Sequence, residues 1–126
     1  MAPDSPRCYL VYALAPAGVS ARDANGLFND YIADEHRGIV VYHDHFIGRH
    51  GGLAIFDVRT DEERALLDDP GPLEGWSIAS HPLVFSQSAV GFAAQTAFTL
   101  DHYRGTSLAE LESAEEPSAR SWWQQA

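Results

Sequence analysis

The sequence predicts an α+β fold of the ferredoxin-like βαββαβ type, an antiparallel sheet with two helices on one face. Two observations carry this prediction. Short runs rich in β-branched and aromatic residues alternate with segments of helical periodicity, and glycine- and proline-rich stretches separate them. Because 126 residues suffice for one core, we expect a single domain over 1–126. Its ferredoxin-like core lies in 7–83, and 84–126 form a C-terminal helical extension.

The first strand is predicted at 8–16, CYLVYALAP, where a β-rich run ends at a proline. Ser20 then begins a helix as its N-cap, with Asp23 near the positive end of the helix dipole. Gly38 ends the connection that follows this helix. The apolar residues of the helix follow the spacing of one buried helical face: Ala24, Leu27, Phe28, Tyr31 and Ile32.

Two further strands are predicted at 38–47 and 51–58. They flank the segment GRHGG, whose glycines supply the positive φ that a tight hairpin needs. A capping box begins a second helix at Thr60, and that helix runs to about Leu67. The prolines of DDPGP stop it because they cannot continue the helical hydrogen bonds. The fourth strand follows at 75–83.

The extension begins with an alanine-rich segment over 88–105, whose apolar residues fit both helical and strand spacing. A helix is the preferred interpretation. One more short helix is predicted to end at about Ala114. The two tryptophans of SWWQQA are expected to pack onto the body of the protein or a partner subunit, or to border a ligand pocket.

The predicted sheet carries apolar residues on both faces. In the second strand, simple alternation points Ile39 and Val41 one way and Val40, Tyr42 and Phe46 the other. Because the two helices cover one face only, the second apolar face must be buried against something else. A second copy of the chain is the simplest partner. We therefore expect a homodimer with a closed or nearly closed barrel between its subunits.

The composition restricts partners and chemistry. The formal charge of −10 repels phosphate backbones and anionic lipids, which makes nucleic acids and membrane surfaces poor candidate partners. The chain has no lysine, so Schiff-base chemistry is excluded. No apolar run reaches the roughly 20 residues that span a bilayer, and no secretory pattern is present; a cytoplasmic location is expected. The single cysteine, Cys8, is expected to be buried and unreactive.

The segment VVYHDHFIGRHGG (40–52) holds three histidines. Residues two apart on a strand share a face, so His43 and His45 are expected on one side and Asp44 on the other. His50 follows the turn and would return alongside His45. These histidines are therefore the main candidates in the chain for proton transfer or metal binding.

Three interpretations of these histidines remain open. In the first, they are structural groups of a core or interface. In the second, either His43 or His45 moves a proton of a small organic substrate. In the second case Tyr42, Asp44 or Arg49 would assist. In the third, His43, His45 and His50 together bind zinc, copper or iron. The sequence itself requires no cofactor.

The stretch GGLAIFDVRTDEERALLDDPGPLEGWSIASHPL (51–83) resembles the second half of the YCII-related proteins of the dimeric α+β barrel superfamily. The shared features are the glycine-led strand, the TDEE helix start, the Asp-Pro at the helix end and the late proline. RCYLVYAL is similar to the opening strand of that family. The resemblance, which spans about 7–83, implies a His–Asp pair whose aspartate corresponds to Asp69. The first helix offers Asn25 and Asn29 in place of the family's histidine.

Related barrels include cofactor-free monooxygenases, isomerases and haem enzymes, so the resemblance implies no single reaction. The sequence therefore predicts a cytoplasmic homodimer that binds a small organic molecule. If it is an enzyme, His43 or His45 carries the acid–base chemistry. The alternative is a non-catalytic homodimeric binding or assembly module with structural histidines.

Overall fold

A computed structural model describes residues 7–83 and 89–114. The chain divides into two compact units, Met1–Phe92 and Ala93–Ala126, and the first contains the sheet. Two short 3-10 turns, Glu35–Arg37 and Gly71–Leu73, follow the first and second helices. The strands and helices, in chain order, are β1 (Cys8–Leu14), α1 (Ala21–Ala33), β2 (Ile39–His45), β3 (Gly51–Asp57), α2 (Asp61–Leu67), β4 (Ser77–Pro82), α3 (Ala89–Arg104) and α4 (Leu108–Ala114).

The four strands form one antiparallel sheet in the order β2–β3–β1–β4. Because β1 and β2 both run antiparallel to β3, which lies between them, β1–α1–β2 is a split βαβ unit. The segment β3–α2–β4 is a second such unit, with β1 between its strands. The predicted α+β class with a four-stranded antiparallel sheet is confirmed, and the topology is compatible with a ferredoxin-like fold.

The helix starts follow from local capping. Ser20 Oγ accepts a hydrogen bond from the backbone N–H of Asp23 at 3.1 Å, as predicted. Thr60 Oγ1 accepts from the N–H of Glu63 at 3.1 Å and so begins α2, which ends at the predicted Leu67. Within the segment that fits two spacings, Ala89–Arg104 form the helix α3.

The core lies on the face of the sheet that α1 and α2 cover. Alternate residues of β1 point to this face, beginning with Tyr9. The hydroxyl of Tyr31 on α1 donates to the carbonyl of Leu67 on α2 at 2.7 Å, and burial raises the pKa of Tyr31 to about 12. The buried cluster comprises Tyr9, Val11, Ala13, Phe28, Tyr31, Ile32, Ala54, Phe56, Val58, Leu67 and Leu73.

The opposite face, called the open face below, holds the alternate residues of the strands. Tyr12, Ile39 and Tyr42 on it are 38%, 49% and 44% exposed, and Ile55 at its middle is buried. The predicted apolar character of both faces is therefore observed, whereas the homodimer stays a prediction. The apolar members of the open face are Leu10, Tyr12, Leu14, Ile39, Tyr42, Leu53 and Ile55.

The second unit contains most of α3 and all of α4. His102 stacks on Phe98 with 5.2 Å between ring centroids. Leu108 and Leu111 of α4 are exposed. Among the described residues, no helix combines the length and the apolarity that crossing a membrane requires. The two tryptophans of SWWQQA lie outside the described residues.

A buried arginine joins the end of α1 to the end of α2. Arg37 is 2% exposed, and its guanidinium lies 4.1 Å above the ring of Tyr31. Its Nη1 donates to the carbonyl oxygens of Leu66 and Asp69, the latter at 2.7 Å. Carbonyls at the C-terminus of a helix lack partners within the helix, and a cation there is favourable. Arg37 therefore satisfies carbonyl oxygens at the end of α2.

We predict that Arg37→Ala lowers the free energy of unfolding by about 2–4 kcal/mol, because two carbonyls at the end of α2 lose their charged donor and the buried side chain leaves a cavity. Urea unfolding followed by circular dichroism measures the loss. Arg59→Ala is the matched control, since Arg59 is exposed at the start of α2, and we expect it to change stability by less than about 0.5 kcal/mol. Equal losses of stability in both variants would contradict the stabilising role of Arg37 at the end of α2.

Candidate functional site

A β-bulge in β2 decides where the histidines point. Val40 lies opposite Phe56 of β3, but Tyr42 lies opposite Ile55, so Val41 is the extra residue. Beyond the bulge His43 pairs with Ala54 and His45 with Gly52. These β3 residues share the face of Phe56, which belongs to the core.

The register beyond the bulge contradicts one prediction from the sequence and confirms another. Tyr42 shares the open face with Ile39, although alternation without a bulge predicted opposite faces. The prediction that His43 and His45 share a face, with Asp44 on the other, is confirmed by the register. The face they share is the one covered by the helices.

His45 lies at the end of β2 against α1. Its ring meets the ring of Phe28 edge-on, with 5.9 Å between centroids. Gly52, its partner on β3, makes this packing possible, because a Cβ there would stand 2.7 Å from Phe28 Cδ2 and 2.7 Å from the carbonyl oxygen of Asp44. A glycine at position 52 is therefore required by the close approach of Phe28.

The two ring nitrogens of His45 differ in their surroundings. Nδ1 is buried and has no hydrogen-bond partner in the described part of the chain. The residue as a whole is half-buried, so Nε2 is the nitrogen that a ligand can reach. Burial lowers the pKa of His45; the neighbouring His43 lowers it further, and Asp44 partly offsets the decrease. The ring is accordingly neutral at pH 7.

His43 is exposed beside it. The two imidazoles meet edge-on, with 5.8 Å between centroids. On the other face Asp44 accepts from the Tyr42 hydroxyl at 3.4 Å, so the carboxylate is directed away from both rings. His43 and His45 thus form a pair of imidazoles, one exposed and one half-buried, at the edge of the sheet.

The structure does not bring His50 to this pair. Its Nδ1 lies 2.7 Å from the carbonyl oxygen of Val19, in the loop before α1. Among residues 7–83 and 89–114, no three His, Cys, Asp or Glu side chains are grouped so as to hold a metal ion. Since zinc sites in proteins use three or four protein ligands, His43, His45 and His50 do not form the metal site that the sequence suggested.

Asp69 also lies apart from the histidines. Its Oδ1 accepts from the N–H of Gly71 at 3.0 Å, and its carbonyl binds Arg37. Arg37 precedes β2, whereas His45 ends it, and a strand of seven residues extends about 20 Å. Asp69 is therefore a turn-forming residue at the opposite end of the sheet from His45.

Two features of the structure were missed in the sequence. One is His81, which lies on the open face and stacks on Tyr12 with 6.1 Å between centroids. The pairing of His81 with Leu10 across β1 places it there, and strand alternation was the signal that could have found it. Arg37 gave no local signal, because its acceptors lie about 30 residues later.

Two cavities lie near the start of α1. One, of about 570 Å³, is lined by residues 15–19 and 48–50, which include Arg49 and His50. The other, of about 640 Å³, is lined by Gly18, Val19 and residues of α1 up to Asp30. Neither lining includes His43 or His45.

Comparison with known proteins adds no family assignment. No protein-family model matches the chain, and no curated protein matches it. The geometry described above therefore carries the functional argument.

We predict that His43→Gln raises the pKa of His45, because His43 contributes to lowering it. NMR titration of the imidazole resonances measures the change directly. An unchanged His45 titration in this variant would contradict electrostatic coupling between the two rings.

His45 also makes stability depend on pH. Its pKa is lower in the folded than in the unfolded state, so the unfolded state binds more protons between the two values. The free energy of unfolding therefore falls as pH decreases through about 6.5, and His45 adds no further loss below its folded pKa. Urea unfolding between pH 7.5 and 5.5 should show a larger decrease for the natural protein than for His45→Phe. Parallel decreases in both would contradict it.

Proposed function

We propose that this protein is a homodimer of the dimeric α+β barrel type that binds a small organic molecule beside His45 and exchanges a proton with it. The observation that carries the proposal is the buried Nδ1 of His45, which has no hydrogen-bond partner in the described residues. The proposal includes the expected cytoplasmic location and a relationship to YCII-related proteins. The cytoplasmic location is supported by the sequence alone.

A buried polar atom without a partner costs about 1–3 kcal/mol, so folding alone gives no reason to retain it. Both nitrogens of an imidazolium carry hydrogens, and a charged His45 would leave a buried N–H without an acceptor. The neutral ring is therefore strongly preferred. A neutral imidazole can accept a proton from a ligand whose anion stays beside the ring, because that anion stabilises the charged form.

The surroundings of His45 favour an apolar ligand with one ionisable group. Fully buried Phe28 meets the edge of the His45 ring and so gives that side of the ring an apolar surrounding. Exposed His43 lies next to it and is suited to bind the anion that forms when the ligand gives up its proton. A phenol combines these features, since it has a flat apolar ring and an acidic hydroxyl.

The experiment titrates the protein with 4-nitrophenol, whose visible absorbance reports its ionisation. We expect saturable shifts of the His43 and His45 ring resonances, together with a rise in phenolate absorbance at constant pH. His45→Phe should abolish both responses while preserving the aromatic packing on Phe28. His81→Phe, which removes an imidazole from the open face, is the matched control and should leave both unchanged.

Two results would overturn the assignment of His45. One is the absence of saturable shifts at both rings up to millimolar 4-nitrophenol. The other is an equal response in His45→Phe and the natural protein. In either case the histidines would be structural, as in the non-catalytic binding or assembly module considered above.

The homodimer is supported by the open face. Three strands of seven residues and one of six present a surface of about 19 by 20 Å. The exposed members of this face, Tyr12, Ile39 and Tyr42, are large and apolar. The face is also suited to meet a copy of itself. Asp44 lies on its β2 edge and His81 on its β4 edge, and a two-fold axis along the strands would bring unlike edges together.

We predict that Ile39→Asp converts the dimer to single subunits, because it places a charge within the apolar interface. Sedimentation velocity at micromolar concentration measures the change. Ile47→Asp is the matched control, since Ile47 is 88% exposed in the hairpin loop, and it should leave the dimer intact. A natural protein that sediments as one subunit would disprove the dimer, without bearing on ligand binding at His45.

A further inference from the structure

The cavity of about 570 Å³ lies where the loop after β1 meets the hairpin between β2 and β3. Its volume is in the range of small-molecule sites. Gly18 and Gly48 leave part of its wall without side chains, and a Cβ at either position would meet nothing within 4 Å. The other small or apolar lining residues are Ala15, Pro16, Ala17 and Val19.

The charge of this lining differs from that of the whole chain. Asp and Glu make up 18 of 126 residues, or one in seven, yet none of the eight lining residues is acidic. Arg49 contributes a permanent positive charge. Its guanidinium has no ion pair or hydrogen bond within the described residues, whereas Arg7 and Arg64 are paired with carboxylates.

His50 supplies the second polar group. The carbonyl of Val19 can only accept, so Nδ1 of His50 carries the hydrogen of their 2.7 Å bond. Nε2 therefore remains available. The charged residues that line this cavity and the neighbouring one are Arg49 on the hairpin, and Arg22, Asp23 and Asp30 on α1.

We propose that this cavity binds a small organic carboxylate, with the Arg49 guanidinium donating to the carboxylate oxygens. The planar fork of a guanidinium matches the two oxygens of a carboxylate, and its single charge balances that of the ligand. The small apolar wall accommodates the body of the molecule. This site is separate from the His43–His45 pair and does not depend on proton exchange there.

The test is a titration with benzoate, followed by NMR of the His50 ring and the Arg49 side chain. We expect saturable shifts at both residues. Benzyl alcohol has the same ring without the charge and should produce no saturable shift. Inorganic phosphate should bind more weakly than benzoate.

Arg49→Gln should weaken benzoate binding about tenfold or more, because a charged bidentate donor is lost. Arg59→Gln removes an equivalent exposed charge elsewhere and should have no effect. His45→Phe should also leave benzoate binding unchanged, which separates this site from the proposed phenol site. Unaltered affinity in Arg49→Gln, equal binding of benzyl alcohol, or tighter binding of phosphate would overturn the proposal.

Discussion

One extra residue in the edge strand β2 determines which polar and aromatic side chains lie on each face of this sheet. A strand without the bulge at Val41 would direct His43 and His45 to the open face and Tyr42 and Asp44 to the helices. The bulge exchanges these sets. It places a half-buried imidazole against Phe28, and it leaves Tyr42 to extend the apolar open face. Proton exchange at His45 and self-association through the open face therefore depend on the same local irregularity.

Those parts of the fold that follow local rules were predictable from sequence. The starts of α1 and α2 are fixed by Ser20 and Thr60, whose side chains bond to N–H groups three residues later. The end of α2 follows from the prolines beyond it. The bulge was not predictable in this way, because β2 could alternate regularly in either register. Only the pairing of Val40 and Tyr42 with β3 distinguishes the two registers.

The candidate site was predictable in composition but not in geometry. Alternation alone placed His43 and His45 on one face, and the register bears this out. The burial of His45 Nδ1 depends on Phe28, which is 17 residues earlier, and on the absence of a side chain at Gly52. His50 was misplaced because its partner is a backbone carbonyl, Val19, which has no signature in sequence. Contacts between distant segments thus determine the burial and the partners of each histidine.

The net charge of −10 opposes any anionic ligand at long range, so contact interactions must provide the binding. Most of this repulsion comes from exposed groups, which salt screens beyond about 8 Å at physiological ionic strength. A guanidinium in direct contact with a carboxylate is screened far less. Raising the salt concentration therefore weakens the unfavourable field more than the bond to Arg49. A carboxylate at that cavity should keep its affinity in salt, unlike a ligand held only by surface charge.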